Sequence, residues 1–264
     1  MVNKLSQIIM SNFGPHGEIE PRKPLENWLS RLGSVVSLPL ASLWTLGNAS
    51  IICLIPGQLR RRRMARASAR GLLRLLGLRI QAHGLPSLPP GRCIVVANHA
   101  SYLDGILLTA ILPPRFTFVI KREMADFPLV GLLLRRLGSL FVDRGGNSAR
   151  ASADSHAILQ GAAQGKAIGI FPEGTFKRQS GLLPFRSGAF VTAVKHGIPI
   201  CPITINGTRR ALPAQSYCIL AGTRIVITMH QPLIPELRSR QERLRLQTQA
   251  REAILSALNE PDRE

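Results

Sequence analysis

Short, fully apolar, β-branched runs alternate with segments of helical period from about residue 79 onward. "CIVVAN" (93–98) leads, and "YLDGILLTAIL" (102–112) follows at helical spacing. "FTFVI" (116–120), "SLFVD" (139–143), "AIGIF" (167–171), "IPICPITI" (198–205) and "RIVITM" (224–229) repeat the strand pattern. "PLVGLLLRRLG" (128–138), "SARASADSHAILQGAAQG" (148–165), "RSGAFVTAVKHG" (186–197) and a polar C-terminal stretch (236–260) read as helices. Apolar runs without polar alternation are strands covered on both faces. The order predicts an α/β fold: a single catalytic-sized domain over 79–264, with a largely parallel sheet flanked by helices. At 45% hydrophobic residues over 264 positions, the chain has enough apolar surface for a full core.

Charge narrows the partners. There are 34 Lys and Arg against 15 Asp and Glu, a net charge of +19. Such a chain favours nucleic acid, anionic lipid or an acidic protein. Aromatic residues make up only 5%, which argues against a stacking platform for single strands. The four cysteines, Cys53, Cys93, Cys201 and Cys218, form no CxxC pair. Three lie in apolar runs, and reduced core thiols are expected.

Residues 1–31 form a leader with acidic and proline-containing "GEIEPRKPLENW". Between Arg31 and Arg60 no residue is charged, and 32–59 supplies 28 largely apolar positions. About 20 suffice to span a bilayer. Pro39, Gly47 and Asn48 interrupt the stretch, so a pair of short interfacial helices competes with one span, and a buried hairpin competes with both. "RRRRMARASARGLLRLLGLR" follows at 60–79 and reads as a basic amphipathic helix. Arginines flanking an apolar segment mark the cytoplasmic side and attract anionic headgroups. Residues 32–78 are therefore expected to associate with a membrane, which assigns the same charge to lipid and not to nucleic acid.

Two motifs carry chemistry. His99 and Asp104 lie five positions apart in "NHASYLD". On one continuous helix that is about 140° of rotation, so the two would not share a face. With His99 in the strand-to-helix turn and Asp104 in the first helical turn, the carboxylate can reach back and fix the imidazole tautomer. The other ring nitrogen can then take a proton from a hydroxyl. Alternatively, Asn98 or Ser101 caps the helix and His99 is an exposed turn residue. The second motif, Phe171-Pro172-Glu173-Gly174-Thr175, ends a buried strand, where ligands of open α/β sheets collect. Lys177, Arg178 and Arg186 add charge suited to phosphate. No GxSxG elbow is present, and "GAAQGKA" (161–167) departs from a P-loop in glycine spacing and at Ala167.

The chain resembles the glycerolipid acyltransferase family that includes the 1-acylglycerol-3-phosphate O-acyltransferases. The NHxSxxD block matches Asn98 to Asp104, a second block matches Gly138 to Arg144, FPEGT matches 171–175, and a VPVxPV-like block matches Ile198 to Ile203. The resemblance implies His99 as general base and Asp104 as its orienting partner. It implies Glu173, Gly174 and Thr175 at the acceptor pocket, with Arg144, Lys121, Lys177 and Arg178 as anion contacts. It implies acyl transfer from acyl carrier protein or coenzyme A thioester to the sn-2 hydroxyl of 1-acylglycerol-3-phosphate in phospholipid biosynthesis. Neither cofactor nor metal is expected. The expected location is the cell inner membrane, with the catalytic domain on the cytoplasmic side. One position departs: many members follow FPEGT with an Arg for the substrate phosphate, and Phe176 stands here. Either the phosphate contact has moved, or the acceptor is another lysolipid such as a lyso-ornithine lipid or lysophospholipid. A non-catalytic membrane-binding protein is the alternative from a different class.

Overall fold

The computed structural model describes residues 24–84, 88–143, 158–214, 216 and 218–263, with side chains from Pro39 onward. Helix α1 (Pro24–Leu54) and helix α2 (Gln58–Leu75) precede the sheet. Next come β1 (Arg79–His83), β2 (Ile94–Ala97), α3 (Leu103–Ile111), β3 (Phe116–Lys121), α4 (Pro128–Leu137), β4 (Leu140–Val142) and β5 (Ala167–Ile170). Then follow α5 (Gly188–His196), β6 (Ile200–Asn206), α6 (Thr208–Ala211), β7 (Arg224–Met229) and α7 (Arg240–Ala257). Of the helix expected at 148–165, residues 158–163 are helical, and 144–157 lie outside the described residues.

The seven strands are ordered β1-β7-β6-β2-β5-β3-β4. β6, β2, β5, β3 and β4 are mutually parallel; β7 pairs antiparallel with β6 and parallel with β1. The sheet is thus largely parallel, with a reversed two-strand edge. β1 was absent from the sequence reading because "RIQAH" is an exposed edge strand without an apolar run.

Period-2 alternation sends the central strands into two cores. Val95, Ala97, Cys201, Ile203 and Ile205 join Leu72, Leu73, Leu107 and Leu108 on the face covered by α2 and α3. Ile94, Val96, Ile168 and Ile200 join Phe190, Leu246 and Ile254 on the face covered by α5 and α7. Strand β2 is buried throughout, as its unbroken apolar run requires. Each such side chain contributes roughly 1.5–3 kcal/mol on burial. The cysteines are free thiols; Cys53, Cys93 and Cys201 are buried.

Most of the uncharged stretch lies in α1, one helix through Pro39 rather than a pair of short ones. Ala49 and Ile52 face inward, while Leu40, Leu43, Leu46, Ile51 and Leu54 are exposed. Trp44 packs on Gly71 of α2 so closely that a Cβ at 71 would stand 2.4 Å from its ring. Among the described residues no helix is long and apolar enough to cross a membrane. The arginines of α2 divide by face. Arg66 donates to the carbonyls of Ala110 and Ile111, and Arg70 to that of Ala110, at the end of α3. Arg62 donates to the carbonyls of Leu137 and Arg115. Cations there meet the negative end of the α3 and α4 dipoles and the carbonyls that have no intrahelical donor. Arg60, Arg63 and Arg74 remain exposed.

Candidate active site

Parallel neighbours place their carboxyl ends on one edge of the sheet. β2 pairs with β5, and β5 with β3, so His99, the 171–175 turn and Lys121 emerge side by side. Asn98 extends the β2–β6 ladder with its side chain: its Nδ2 donates to the Ile205 carbonyl at 2.9 Å, and its Oδ1 accepts from the Ile205 N–H at 2.7 Å. Asn98 therefore staples a strand end and does not cap a helix. Ser101 is buried; its hydroxyl donates to the Leu212 carbonyl at 2.7 Å and accepts from the Leu103 N–H at 3.2 Å.

His99 lies in the turn and Asp104 in the first turn of α3. Asp104 Oδ2 stands 2.9 Å from His99 Nδ1 and accepts from the backbone N–H of Ala100 at 2.6 Å and of Ser101 at 2.8 Å. Asp104 is 0% exposed and the His99 side chain 13%. A carboxylate fed by two N–H groups accepts only, so the proton between it and the ring belongs to Nδ1. Nε2 then carries the lone pair. The imidazole is fixed further by Phe171, stacked at 4.1 Å and 11°, and by Phe176, edge-on at 4.5 Å. Tyr102 packs edge-on against Phe176 at 4.9 Å. This aromatic wall was not visible in the sequence, where Phe176 figured only as a missing Arg.

Glu173 differs from expectation. It is buried and does not line the cavity. Oε1 accepts the His99 N–H at 2.6 Å and Oε2 the Leu183 N–H at 2.8 Å. Burial pushes its carboxyl up to about 7; the two N–H bonds oppose that, and the nearby Asp104 and Glu260 carboxylates add to it. In the geometry it ties the histidine turn to the 171–183 loop. Gly174, Thr175, Lys177, Arg178 and Lys121 do line the cavity, beside His99. Lys121 pairs with Glu123 at 2.9 Å. Arg144 lies outside the described residues. One contributor had no sequence signal: Arg209, after β6, forms a buried forked pair with Glu260 at 2.8 and 3.0 Å and also donates to the Lys177 carbonyl. Residues 32 and 51 positions apart have no pattern in common.

The cavity has a volume of about 1040 Å³. Ala49 and Ile52 of α1, Leu72 of α2 and Leu134 of α4 contribute apolar lining; His99 and several cations contribute polar lining. Such a space suits an amphipathic molecule with one anionic end. Among the described residues no group of three or more His, Cys, Asp or Glu side chains is arranged to hold a metal ion.

A basic ring nitrogen, oriented by a buried carboxylate, thus faces a largely apolar cavity at the carboxyl ends of the parallel strands. The model of the family described as Acyltransferase matches residues 79–206, and that part of the chain is an acyltransferase domain of this family, an enzyme domain. The 1-acyl-sn-glycerol-3-phosphate acyltransferase alpha of Homo sapiens is 34% identical over 133 residues, 50% of this chain and 47% of that protein. The chloroplastic 1-acyl-sn-glycerol-3-phosphate acyltransferase BAT2 of Brassica napus is 31% identical over 153 residues, 57% of this chain and 44% of that one. The Borreliella burgdorferi 1-acyl-sn-glycerol-3-phosphate acyltransferase is 29% identical over 197 residues, 74% and 78%. The chain thus spans about half the length of the plant and human relatives. The crystal structure of the 1-acyl-sn-glycerophosphate (LPA) acyltransferase PlsC from Thermotoga maritima shares the fold, with a TM-score of 0.73 at 22% identity, covering 88% of this chain and 98% of that one.

Proposed function

We propose that the protein is a membrane-associated O-acyltransferase that esterifies the sn-2 hydroxyl of 1-acylglycerol-3-phosphate from an acyl thioester, carried on coenzyme A or acyl carrier protein. The His99–Asp104 pair, with His99 lining the largely apolar cavity, carries this reading. His99 Nε2 takes the acceptor hydroxyl proton as the oxygen attacks the thioester carbonyl. The developing imidazolium is stabilised by Asp104. The C–S bond then breaks, and the leaving thiolate takes the proton from Nε2. The products are an ester and a free thiol, with no acyl-enzyme and no resident cofactor. Lys121, Lys177 and Arg178 draw the anionic end of the lipid toward the base.

The apolar face of α1 supports attachment to the membrane surface. Leu43 is 71% and Leu54 84% exposed on the side away from the cavity-lining residues. With a net +19, the chain suits the anionic cytoplasmic leaflet of the inner membrane. Phe176 against His99 favours a second acceptor reading, a lysolipid without a free phosphate. Purified protein offered a thioester and a panel of lysolipids decides. Preference for lysophosphatidate is the expected result; preference for another lysolipid keeps the chemistry and replaces the acceptor, and transfer to none leaves a membrane-binding protein.

A further inference from the structure

Phe176 stands edge-on against His99 at the position where the resemblance implies an Arg for the substrate phosphate. We infer that Arg186 takes over that task and holds the phosphate of the acceptor, an inference that rests on the lysophosphatidate reading above.

Three observations carry it. Arg186 lines the same cavity as His99, Gly174 and Thr175. Its side chain lies on the α-carbon of Gly174: a Cβ there would stand 2.6 Å from Nε and 3.3 Å from Cζ. Gly174 has φ +73, so the glycine serves both the turn and the close approach of the guanidinium. The preceding residue, Glu173, bonds the His99 N–H, and the Arg186 N–H is bonded to the Pro172 carbonyl at 2.8 Å. Both ends of that short loop are fixed, one to the base and one to the cation. Finally, several other arginines of the fold are engaged: Arg62, Arg66 and Arg70 by carbonyls, Arg209 by Glu260. Among the described residues no carboxylate pairs with Arg186, whereas Lys121 pairs with Glu123. A planar fork lining the cavity that also holds His99 suits a phosphomonoester better than a flexible lysine does.

The test is steady-state acylation by the full chain in detergent, with lysophosphatidate and with monoacylglycerol as acceptors. Arg186→Ala is expected to raise KM for lysophosphatidate about 10- to 100-fold, the scale of a lost charge-assisted contact. The thioester KM and the rate with monoacylglycerol should stay within about twofold, and Arg186→Lys should recover part of the loss. An unchanged lysophosphatidate KM in Arg186→Ala overturns the inference while leaving the acceptor in place. So does a rise confined to the thioester KM, which would assign the contact to a donor phosphate. If Arg186→Ala does not fold, Arg186→Lys alone decides: the lysophosphatidate KM must rise while the thioester KM does not. Wild type that ignores lysophosphatidate would instead defeat the acceptor reading, and the inference with it.

Discussion

Asp104 and Glu173 divide two kinds of work at one histidine. Asp104 holds the ring through Nδ1, and Glu173 holds the backbone beneath it. Asp104→Asn keeps the shape and an oxygen for the Ala100 and Ser101 N–H groups, but it lets the imidazole adopt the wrong tautomer. The expected outcome is a loss of at least about a hundredfold in kcat with a small change in Tm; a loss of Tm with kcat preserved in the folded fraction would contradict it. Glu173 predicts a pH dependence. Its folded pKa of about 7 lies above its ordinary 4.5, so the folded state binds the proton more tightly than the unfolded state. Stability from this group is therefore fully present below 4.5 and is lost as pH rises through about 7. Against Glu173→Gln, wild type should lose up to about 3 kcal/mol over that window in denaturant melts. A difference that does not vary with pH would show that the two N–H bonds, not burial, control the carboxyl.

Elements explain what was legible. β2 and β5 each announce themselves as an apolar run followed by a chemical turn, and His99 with Asp104 is a local pair within one such turn. The partners of that turn are not local: Glu173 is 74 positions from His99, and Ile205 is 107 from Asn98. Only the parallel pairing brings them together, and nothing in a single strand's composition states its neighbour. The reversal of β7 was hidden for the same reason, and the edge strand β1 for want of an apolar run. α2 shows how one composition serves two ends. Its arginines read as a headgroup-binding face, yet Arg66 and Arg70 close the carbonyl end of α3. Replacing both by Ala should cost about 1–3 kcal/mol per lost charged contact, several degrees of Tm in total. Unchanged Tm and unchanged proteolysis of α2 would mean that apolar packing of Leu72 and Leu73 alone docks the helix.

At the scale of the whole molecule, the sheet presents its chemistry at one edge, and α1 and α2 roof the cavity that leads to it. The roof faces outward with leucines, so the cavity and an exposed apolar surface share a helix. On the proposed function, a lipid acceptor need not leave the membrane surface to reach His99. The central claim is that His99 Nε2 is the base for acyl transfer. The most direct measurement is thioester-dependent acylation of lysophosphatidate by the full chain in anionic liposomes, wild type beside His99→Ala. The account predicts that wild type transfers the acyl chain and that His99→Ala loses at least about a hundredfold while binding the vesicles equally well. Equal transfer by both proteins, or binding to vesicles without transfer by either, would contradict it.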